Sequence, residues 1–248
     1  MSLVLELGMD EASGDLLDTS GNGRNVTLTT GTTRSAAGSG YTYGGTLPNS
    51  KCILQTSSAI QLAFNGAMTP FNTTSRTVMF WGKIPGANPS WAMEYYNAGS
   101  DTGVFGWLLL SGTFRFRAKD SSNNVYERNL TSAPTVWHHY ATTHDGTNLK
   151  VYVDGVQVGA NVSMPVAVWN ADAIRIFDQF GTAGGGIDDV RVFNTALTST
   201  EVNTWMTTPV GAASTPTKVY FSNGSQASAI YEMTAGGLVQ RNGGLIIK

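Results

Sequence analysis

Cysteine, histidine and charged side chains are all scarce in this 248-residue sequence. The single cysteine, Cys52, cannot form a disulfide within the chain, so the fold does not depend on oxidation. Because free cysteines are usually buried, we expect Cys52 to pack as a small apolar residue in a strand. With only three histidines and one cysteine, a zinc site or a cysteine–histidine nucleophile is improbable.

Charge is sparse, since Asp, Glu, Lys and Arg make up 13% of the residues and the formal net charge is −2. No cluster of Lys and Arg stands out, although nucleic-acid binding requires one against phosphate. Long apolar runs are missing as well, so no membrane-spanning helix is predicted. Residues 1–6 have no basic region and no long apolar run, and we therefore expect no signal peptide.

The residues that are abundant favour an all-β protein. The 29 glycines and the many Thr, Ser and Asn residues suit short strands joined by tight turns, because Thr fits a half-buried pleat and Gly and Asn accept positive φ. Residues 30–50, which include Tyr41 and Tyr43, are predicted to form a long surface loop. Strands are predicted at 3–8, 25–28, 51–55, 59–63, 75–83, 92–96, 104–110, 113–118, 124–129, 136–143, 148–153, 156–159, 173–177 and 187–193.

One short helix is predicted at 198–206. Thr198 and Glu201 have the spacing of a capping box, in which each satisfies the other's free backbone N–H. The side chains at helical spacing that would form its buried stripe are Val202, Trp205 and Met206.

The composition changes near residue 209, so we predict a main domain at 1–208 and a C-terminal β extension at 209–248. Residues 209–216 are typical of a linker. Three strand-like runs follow, at 218–221, 229–233 and 244–247. A segment with so little apolar surface is not expected to fold alone, and we predict that it docks or mediates assembly. The candidate assembly residues are Tyr220, Phe221, Ile230, Tyr231, Leu245 and Ile246.

Three blocks in the main domain resemble the laminin-G-like and concanavalin-A-like jelly-roll family. The first is Asp10–Gly14 with Asp18–Gly23, which is similar to the family's opening turns. The second begins at Trp137-His138-His139 and continues through Asp145-Gly146 to Asp154-Gly155. The third runs from Gly186-Ile187-Asp188-Asp189 to Val202. The resemblance covers roughly residues 3–206, and it implies two antiparallel sheets packed face to face as a jelly-roll sandwich.

The resemblance also implies a possible structural Ca²⁺ ion. In this family the first and last strands are neighbours, which would bring the loops at 10–23 near 187–189, and many members hold Ca²⁺ there. The positions carried over are Asp18, Asn22 and Asp188, since Ca²⁺ takes carboxylate and carbonyl oxygens. The alternative is that Asp18 and Asn22 only stabilise a turn through their own backbone.

No catalytic constellation is recognised. His138 and His139 are adjacent in a strand and are expected to point to opposite faces, so they cannot share a metal. A glycosidase needs two carboxylates across a cleft. Asp188 and Asp189 are expected to face opposite sides, and we predict that the protein is not an enzyme.

Carbohydrate binding is one possible function, because aromatic faces stack on sugars. Trp91, Tyr95 and Tyr96 are the candidate ligand residues, with Trp91 in a loop as the best exposed of them. Trp81 and Trp107 lie in apolar strands and are expected to belong to the core.

The leading hypothesis is a non-enzymatic component of a phage virion surface, as a capsid decoration or minor tail protein. It rests on the low charge, the lack of a signal peptide and the β extension, whose 220–224 and 239–243 runs resemble hairpins at the ends of tailed-phage proteins. Such a protein would be assembled in the host cytoplasm and contact other virion proteins or copies of itself. The alternative is an extracellular, calcium-dependent lectin-like or adhesin module for cell-surface glycans. Neither hypothesis involves nucleic acid or a membrane.

Overall fold

The computed structural model of the chain describes residues 3–27, 33–36, 39–43, 51–54, 60–64, 73–84, 90–96, 105–120, 122–132, 134–164, 173–178, 185–210, 219–222, 227–234 and 237–241. The chain divides into two compact units, Met1–Pro209 and Val210–Lys248. The predicted boundary at 208 and 209 lies within one residue of this division.

The described elements are strands and one helix. In chain order they are β1 (Leu3–Leu7), β2 (Val26–Thr27), β3 (Thr33–Arg34), β4 (Ile53–Leu54), β5 (Ile60–Phe64), β6 (Arg76–Lys83), β7 (Ser90–Tyr96), β8 (Phe105–Leu110), β9 (Thr113–Lys119), β10 (Val125–Ser132), β11 (His138–His144), β12 (Asn148–Val153), β13 (Val156–Gln157), β14 (Val162–Ser163), β15 (Ala173–Asp178), β16 (Gly186–Phe193), α1 (Ser199–Met206), β17 (Val219–Ser222), β18 (Ala227–Thr234) and β19 (Gly237–Arg241).

Within the described ranges, the first unit contains two antiparallel sheets. The nine-stranded sheet has the order β13-β12-β11-β6-β16-β4-β3, with β1 also paired to β16 and β14 to β12. The seven-stranded sheet has the order β10-β9-β8-β7-β15-β5-β2. The first strand pairs antiparallel with the last strand of the unit, as the family resemblance implies. The prediction of an all-β, two-sheet antiparallel sandwich is confirmed.

Strand alternation fills the space between the sheets with aromatic rings. In β9, Phe114 and Phe116 are fully buried, whereas Arg115 and Arg117 alternate with them on the other face and are partly exposed. The Trp107 ring, also fully buried, lies 5.3 Å from that of Phe116, edge to face. Burial of each phenylalanine contributes about 1.5–3 kcal/mol, so these rings add substantially to the stability of the sandwich.

Helix α1 covers part of the outer face of the nine-stranded sheet. Its capping box is formed as predicted, because the Thr198 hydroxyl accepts from the Glu201 N–H and the Glu201 carboxylate accepts from the Thr198 N–H. Val202 is fully buried, and the Trp205 ring lies 5.2 Å from the Phe193 ring. These side chains form a second, smaller core that also contains Met79, Ala141, Tyr152 and Leu197.

Arg191 connects β16 to β1 and to the end of α1. Its Nε donates to the Glu6 carboxylate at 2.9 Å, and its terminal nitrogens donate to the carbonyls of Trp205 and Thr208 at 3.0 and 2.5 Å. Both ion-pair partners are largely buried, with side-chain exposures of 1% for Arg191 and 12% for Glu6. Arg191 therefore binds carbonyls at the C-terminus of the helix and just beyond it.

A β-bulge in β16 corrects the prediction that Asp188 and Asp189 face opposite sides. The pairing with β6 shifts register between Asp188 and Arg191, and Asp189 has a φ of 48°. A bulge inserts an extra residue into one strand and breaks the two-residue alternation. As a result both acidic side chains bond to the same segment, Tyr41 to Tyr43.

The second unit contains an antiparallel sheet with the order β17-β18-β19 in its described part. Tyr220 pairs with Ile230, and Tyr231 pairs with Gln240. Four of the predicted assembly residues, Tyr220, Phe221, Ile230 and Tyr231, therefore lie in β17 and β18. The predicted strand at 244–247 lies outside the described residues, together with Leu245 and Ile246. Gly237–Arg241 is a further strand that the sequence did not predict, and it follows β18 after two residues as a hairpin does.

Candidate functional site

Four aromatic side chains form a cluster on the outer face of the nine-stranded sheet, and we call Tyr41, Tyr43, Trp81 and Trp137 the aromatic cluster. The Tyr41 ring stacks on the Trp81 ring with centroids 3.4 Å apart and an interplanar angle of 13°. The Tyr43 ring stands at 69° to Tyr41, 4.9 Å away. Trp137 completes the group, 6.4 Å from Tyr41.

Alternation along β6 explains why Trp81 belongs to this outer face. Phe80 points into the space between the sheets, where its ring contacts Trp107 at 5.0 Å, so its neighbour Trp81 points outward. Trp81 is 6% exposed because Tyr41 covers it. The prediction that both tryptophans belong to the core holds for Trp107, whereas Trp81 is buried outside the sandwich.

The bulged acidic pair holds the tyrosine segment in place. The Asp188 carboxylate accepts from the Tyr41 backbone N–H at 2.8 Å, and the Asp189 carboxylate accepts from the Tyr43 hydroxyl. Burial, followed by the charge of Asp189, raises the pKa of the Asp188 carboxyl well above its ordinary value. Burial likewise raises the pKa of the Tyr43 hydroxyl, with a further contribution from Asp189. Both pKa shifts favour the protonated forms of the Asp188 carboxyl and the Tyr43 hydroxyl.

A pocket of about 100 Å³ opens beside the cluster. Its lining consists of Tyr41, Tyr43, Trp81, Met206 and Thr207, none of which carries a formal charge. The buried indole Nε1–H of Trp81 has no hydrogen-bond partner in the described part of the chain. An unpaired buried donor is uncommon and costs free energy, and in this arrangement of side chains the donor is not reached by solvent.

His139 lies beside Trp81 on the neighbouring strand, with ring centroids 5.3 Å apart. It is 1% exposed, and burial, together with the nearby charge of Arg191, lowers the pKa of its imidazole to about 3. His138 is partly exposed and bonds through Nδ1 to Asp154 at 2.7 Å. The two adjacent histidines therefore have separate surroundings, as strand geometry predicts.

The structure gives each predicted calcium ligand its own hydrogen bonds. The Asp18 carboxylate accepts from the backbone N–H groups of Glu6, Ser20 and Arg24. The Asn22 amide donates to the β1 carbonyl of Leu3 at 2.9 Å. These bonds suit the alternative in which Asp18 and Asn22 stabilise turns. Asp188 bonds to the tyrosine segment, and no group of three or more His, Cys, Asp or Glu among the described residues has the arrangement of a metal site. The calcium site stays a prediction.

The predicted sugar-binding residues lie in β7 on the other sheet. Trp91 is half-buried and keeps its place as a candidate. Tyr95 is fully buried between the sheets, with the Arg76 guanidinium carbon 5.8 Å from its ring centroid, so it is not available to stack on a sugar. Its inward position follows from alternation along β7, and the side chain of Tyr96 lies outside the described residues.

Sequence reasoning missed the residues that line the pocket. Tyr41 and Tyr43 were assigned to a long surface loop, and Met206 to the buried stripe of the helix. One feature of the sequence could have indicated the site. Two tyrosines, two positions apart, lie in a run of Gly, Ser and Thr, where an aromatic residue is not expected unless it packs against another part of the protein. Nothing in that pattern identifies Trp81 as their partner, because the contact spans many residues of sequence.

The strand order and the two packed sheets define an antiparallel jelly-roll sandwich of the lectin type. The chain belongs to the concanavalin A-like lectin/glucanases superfamily, since the laminin G family model of that superfamily matches residues 54–203, well over half of the sequence. No curated protein matches the chain significantly. No helix in the described part of the chain has the length and apolar character needed to cross a membrane.

Solved structures that resemble the chain include bacterial toxin domains. The binding domain of Paraclostridial Mosquitocidal Protein 1 has a TM-score of 0.63 and 19% identity, over 82% of this chain and 51% of that one. The botulinum neurotoxin serotype D binding domain has a TM-score of 0.64 and 16% identity, over 89% of this chain and 53% of that one. This chain thus spans about half the length of these structures. At such identities the likeness establishes the fold alone.

Proposed function

We propose that the protein is a non-catalytic recognition module that binds a neutral glycan at the pocket beside the aromatic cluster. The observation that carries the proposal is a pocket whose lining combines three aromatic residues with Met206 and Thr207 and offers both polar and apolar surface. Sugar-binding sites combine apolar ring faces with a few placed polar groups in the same way. The uncharged lining of the pocket favours a neutral ligand.

The comparisons support a binding role at a coarse level. The superfamily includes lectins, and the similar toxin structures are binding and receptor-binding domains. The same superfamily also includes glucanases, which are catalytic.

The acidic pair does not have the arrangement of a glycosidase. Such enzymes place two carboxylates on either side of the bond that they cleave, with access for substrate. Asp188 and Asp189 are adjacent on one strand, and their exposures are only 2% and 5%. Both carboxylates are hydrogen-bonded to the segment that covers them. Their role in the proposal is to position Tyr41 and Tyr43.

The test is glycan binding by the full chain, measured on a glycan array and then by titration with the sugars that respond. Met206→Trp should fill the pocket and abolish binding, whereas Val156→Trp should not. Val156 is a suitable control because it is 70% exposed and does not line the pocket. An array without any response would overturn the proposal. Binding that survives Met206→Trp but is lost with Trp91→Ala would move the site to the seven-stranded sheet.

A second candidate function is assembly on the surface of a phage virion, as a capsid decoration or minor tail protein formed in the host cytoplasm. It is favoured by the separate C-terminal unit, Val210–Lys248, whose short three-stranded sheet is of a size that rarely folds without a partner. Other virion proteins or further copies of the chain would be the partners. Deletion of 209–248 should then abolish incorporation into particles while the sandwich still folds, and normal incorporation would contradict this function. The extracellular alternative is a lectin-like or adhesin module.

A further inference from the structure

The tyrosine segment is held in a conformation that costs free energy. Tyr43 has a φ of 51°, and its hydroxyl donates to the carboxylate of Asp189. Positive φ is uncommon for a bulky side chain and persists only where the surrounding contacts enforce it, often at ligand clamps and switch regions. The segment also covers two adjacent carboxylates, since Asp188 and Asp189 are only 2% and 5% exposed. Lifting the segment would release Tyr43 and return both carboxylates to water.

Tyr41 makes two contacts with the outer face of the nine-stranded sheet. Its ring stacks on Trp81 with centroids 3.4 Å apart and an interplanar angle of 13°. Its backbone N–H donates to the Asp188 carboxylate at 2.8 Å. Asp188 and Trp81 are paired residues on β16 and β6, so the ring and the acceptor form one patch. A group that replaces Tyr41 on this patch needs a flat apolar face and, beside it, a hydrogen-bond donor.

A neutral sugar ring has both features. The C–H groups on one face of a pyranose form an apolar surface that packs against aromatic rings, and its hydroxyl groups are hydrogen-bond donors. A ligand with an anionic group would be repelled by the carboxylates of Asp188 and Asp189. The patch that Tyr41 occupies therefore suits a neutral pyranose.

The size of the pocket also indicates that the segment moves when a glycan binds. A volume of about 100 Å³ is well below the roughly 300–1,000 Å³ of pockets that enclose a small molecule. Tyr41 and Tyr43 are two of the five lining residues, so displacement of the segment enlarges the pocket. The enlarged pocket includes the ring face of Trp81 that Tyr41 covers.

We propose that the tyrosine segment is a displaceable cover and that Tyr41 occupies the place of a sugar ring. When a glycan binds, a pyranose stacks on Trp81 and one of its hydroxyls donates to Asp188, in place of the Tyr41 ring and N–H. The inference rests on the proposed function, because it describes the regulation of the same site. The closed segment lowers the apparent affinity in proportion to the fraction of molecules that are closed.

Tyr41→Ala gives opposite results for a displaceable cover and for a fixed wall of the pocket. The variant removes the ring that competes for Trp81, so we expect the full chain to bind glycans several-fold more tightly. A fixed wall would lose contact area, and binding would weaken. The measurement is calorimetric titration with the methyl glycosides of glucose, galactose and mannose and with the glycans that respond on the array.

Tyr126→Ala is the matched control for the loss of a partly buried tyrosine. Tyr126 lies in β10 of the other sheet and does not line the pocket, so this change should leave affinity unchanged. If Tyr41→Ala does not fold, Tyr43→Phe tests the same cover. It keeps the ring but removes the hydroxyl that donates to Asp189, and it should tighten binding to a smaller extent.

Hydrogen exchange of the Tyr41 backbone N–H, followed by NMR, measures the opening itself. In the free protein this N–H should exchange about tenfold faster, or more, than the hydrogen-bonded N–H groups of β6, which lies between β11 and β16. A saturating glycan should accelerate the exchange further, because the sugar takes the place of Tyr41 at Asp188. A fixed wall predicts slower exchange when the glycan binds.

Two results would overturn the displaceable cover while the glycan-binding function stands. One is weaker or unchanged binding in both Tyr41→Ala and Tyr43→Phe, and the other is a Tyr41 N–H that exchanges more slowly in the glycan complex. If neither the wild-type chain nor Tyr41→Ala binds any glycan, the proposed function is overturned and the inference with it.

Discussion

Arg191 is the residue on which the connection between β1, β16 and α1 most depends. Replacing it with Met would leave Glu6 buried without its partner, and breaking a buried pair from one side costs about 3–5 kcal/mol. We expect Arg191→Met to lower the free energy of unfolding by that amount in urea titrations. The double variant Glu6→Gln, Arg191→Met should recover part of the loss, because no unpaired charge remains.

The control for this prediction is Arg117→Met. Arg117 and Arg115 share the carboxylate of Glu127 on the outer face of the seven-stranded sheet, and all three side chains are partly exposed. Such pairs contribute about 0–1 kcal/mol, so this change should cost little. A comparable loss in both variants would contradict the importance that we assign to the Glu6–Arg191 pair.

His139 makes stability depend on pH. Its folded-state pKa is lowered from 6.5 to about 3 by burial and by Arg191. Between these values the unfolded chain binds a proton that the folded chain does not, so stability from this residue falls as pH falls. Between pH 7 and pH 5 the loss amounts to about 2 kcal/mol.

His139→Gln should remove this loss, which urea unfolding at the two pH values measures as a difference from wild type. Thr142→Val is the control, because Thr142 is fully buried on the same strand but has no titratable group. It should keep the wild-type difference between pH 7 and pH 5. A His139→Gln variant with an unchanged difference would show that the imidazole is protonated in the folded protein.

The sequence predicts the environment of single residues where strand alternation holds and fails where it is interrupted. Phe114 and Phe116 are buried as expected, because β9 is regular. Asp189 is not where alternation places it, because its φ of 48° belongs to a bulge. Aspartate tolerates that conformation, but nothing in the sequence requires it there. The tyrosine segment depends on this bulge, so the candidate site could not be predicted from the sequence.

At the scale of elements, α1 depends on its cap. Eight residues are too few for a stable isolated helix, so packing and capping must hold it in place. Thr198→Ala removes the hydroxyl that accepts from Glu201, and we expect the free energy of unfolding to fall by about 1 kcal/mol. Thr200→Ala, an exposed change within the helix, should have little effect. Equal effects in denaturant titrations would contradict a capping role.

Elements with strong local signals were predicted within one or two residues. The helix was predicted at 198–206 and forms at Ser199–Met206 because its capping box is a local signal. The turn between β12 and β13 was predicted from Asp154-Gly155, both of which have positive φ. The strand at Gly237–Arg241 was not predicted, because it is less apolar than the run at 244–247, which lies outside the described residues. A segment that follows β18 after a short turn can pair with it even when the segment is not strongly hydrophobic.

At the scale of the whole molecule, the helix and the tyrosine segment both cover the nine-stranded sheet from outside. The helix supplies a small apolar core, and the tyrosine segment covers Trp81. The pocket lies where both covers meet, since its lining includes Tyr41 and Tyr43 on one side and Met206 and Thr207 on the other. A family resemblance predicts the sandwich beneath, but such covering segments vary in sequence and must be read from the structure.

The division into two units predicts that the sandwich folds without the C-terminal extension. The members of both hydrophobic clusters in the described part of the chain lie between Leu3 and Trp205, before the boundary at Pro209. A chain that ends at Pro209 should therefore unfold cooperatively at nearly the wild-type temperature, as measured by circular dichroism. A chain that ends at Thr195 is the control, because it loses Leu197, Val202 and the carbonyl partners of Arg191, and it should melt much lower. If the chain ending at Pro209 aggregates or melts like the shorter one, the extension is part of the folding unit.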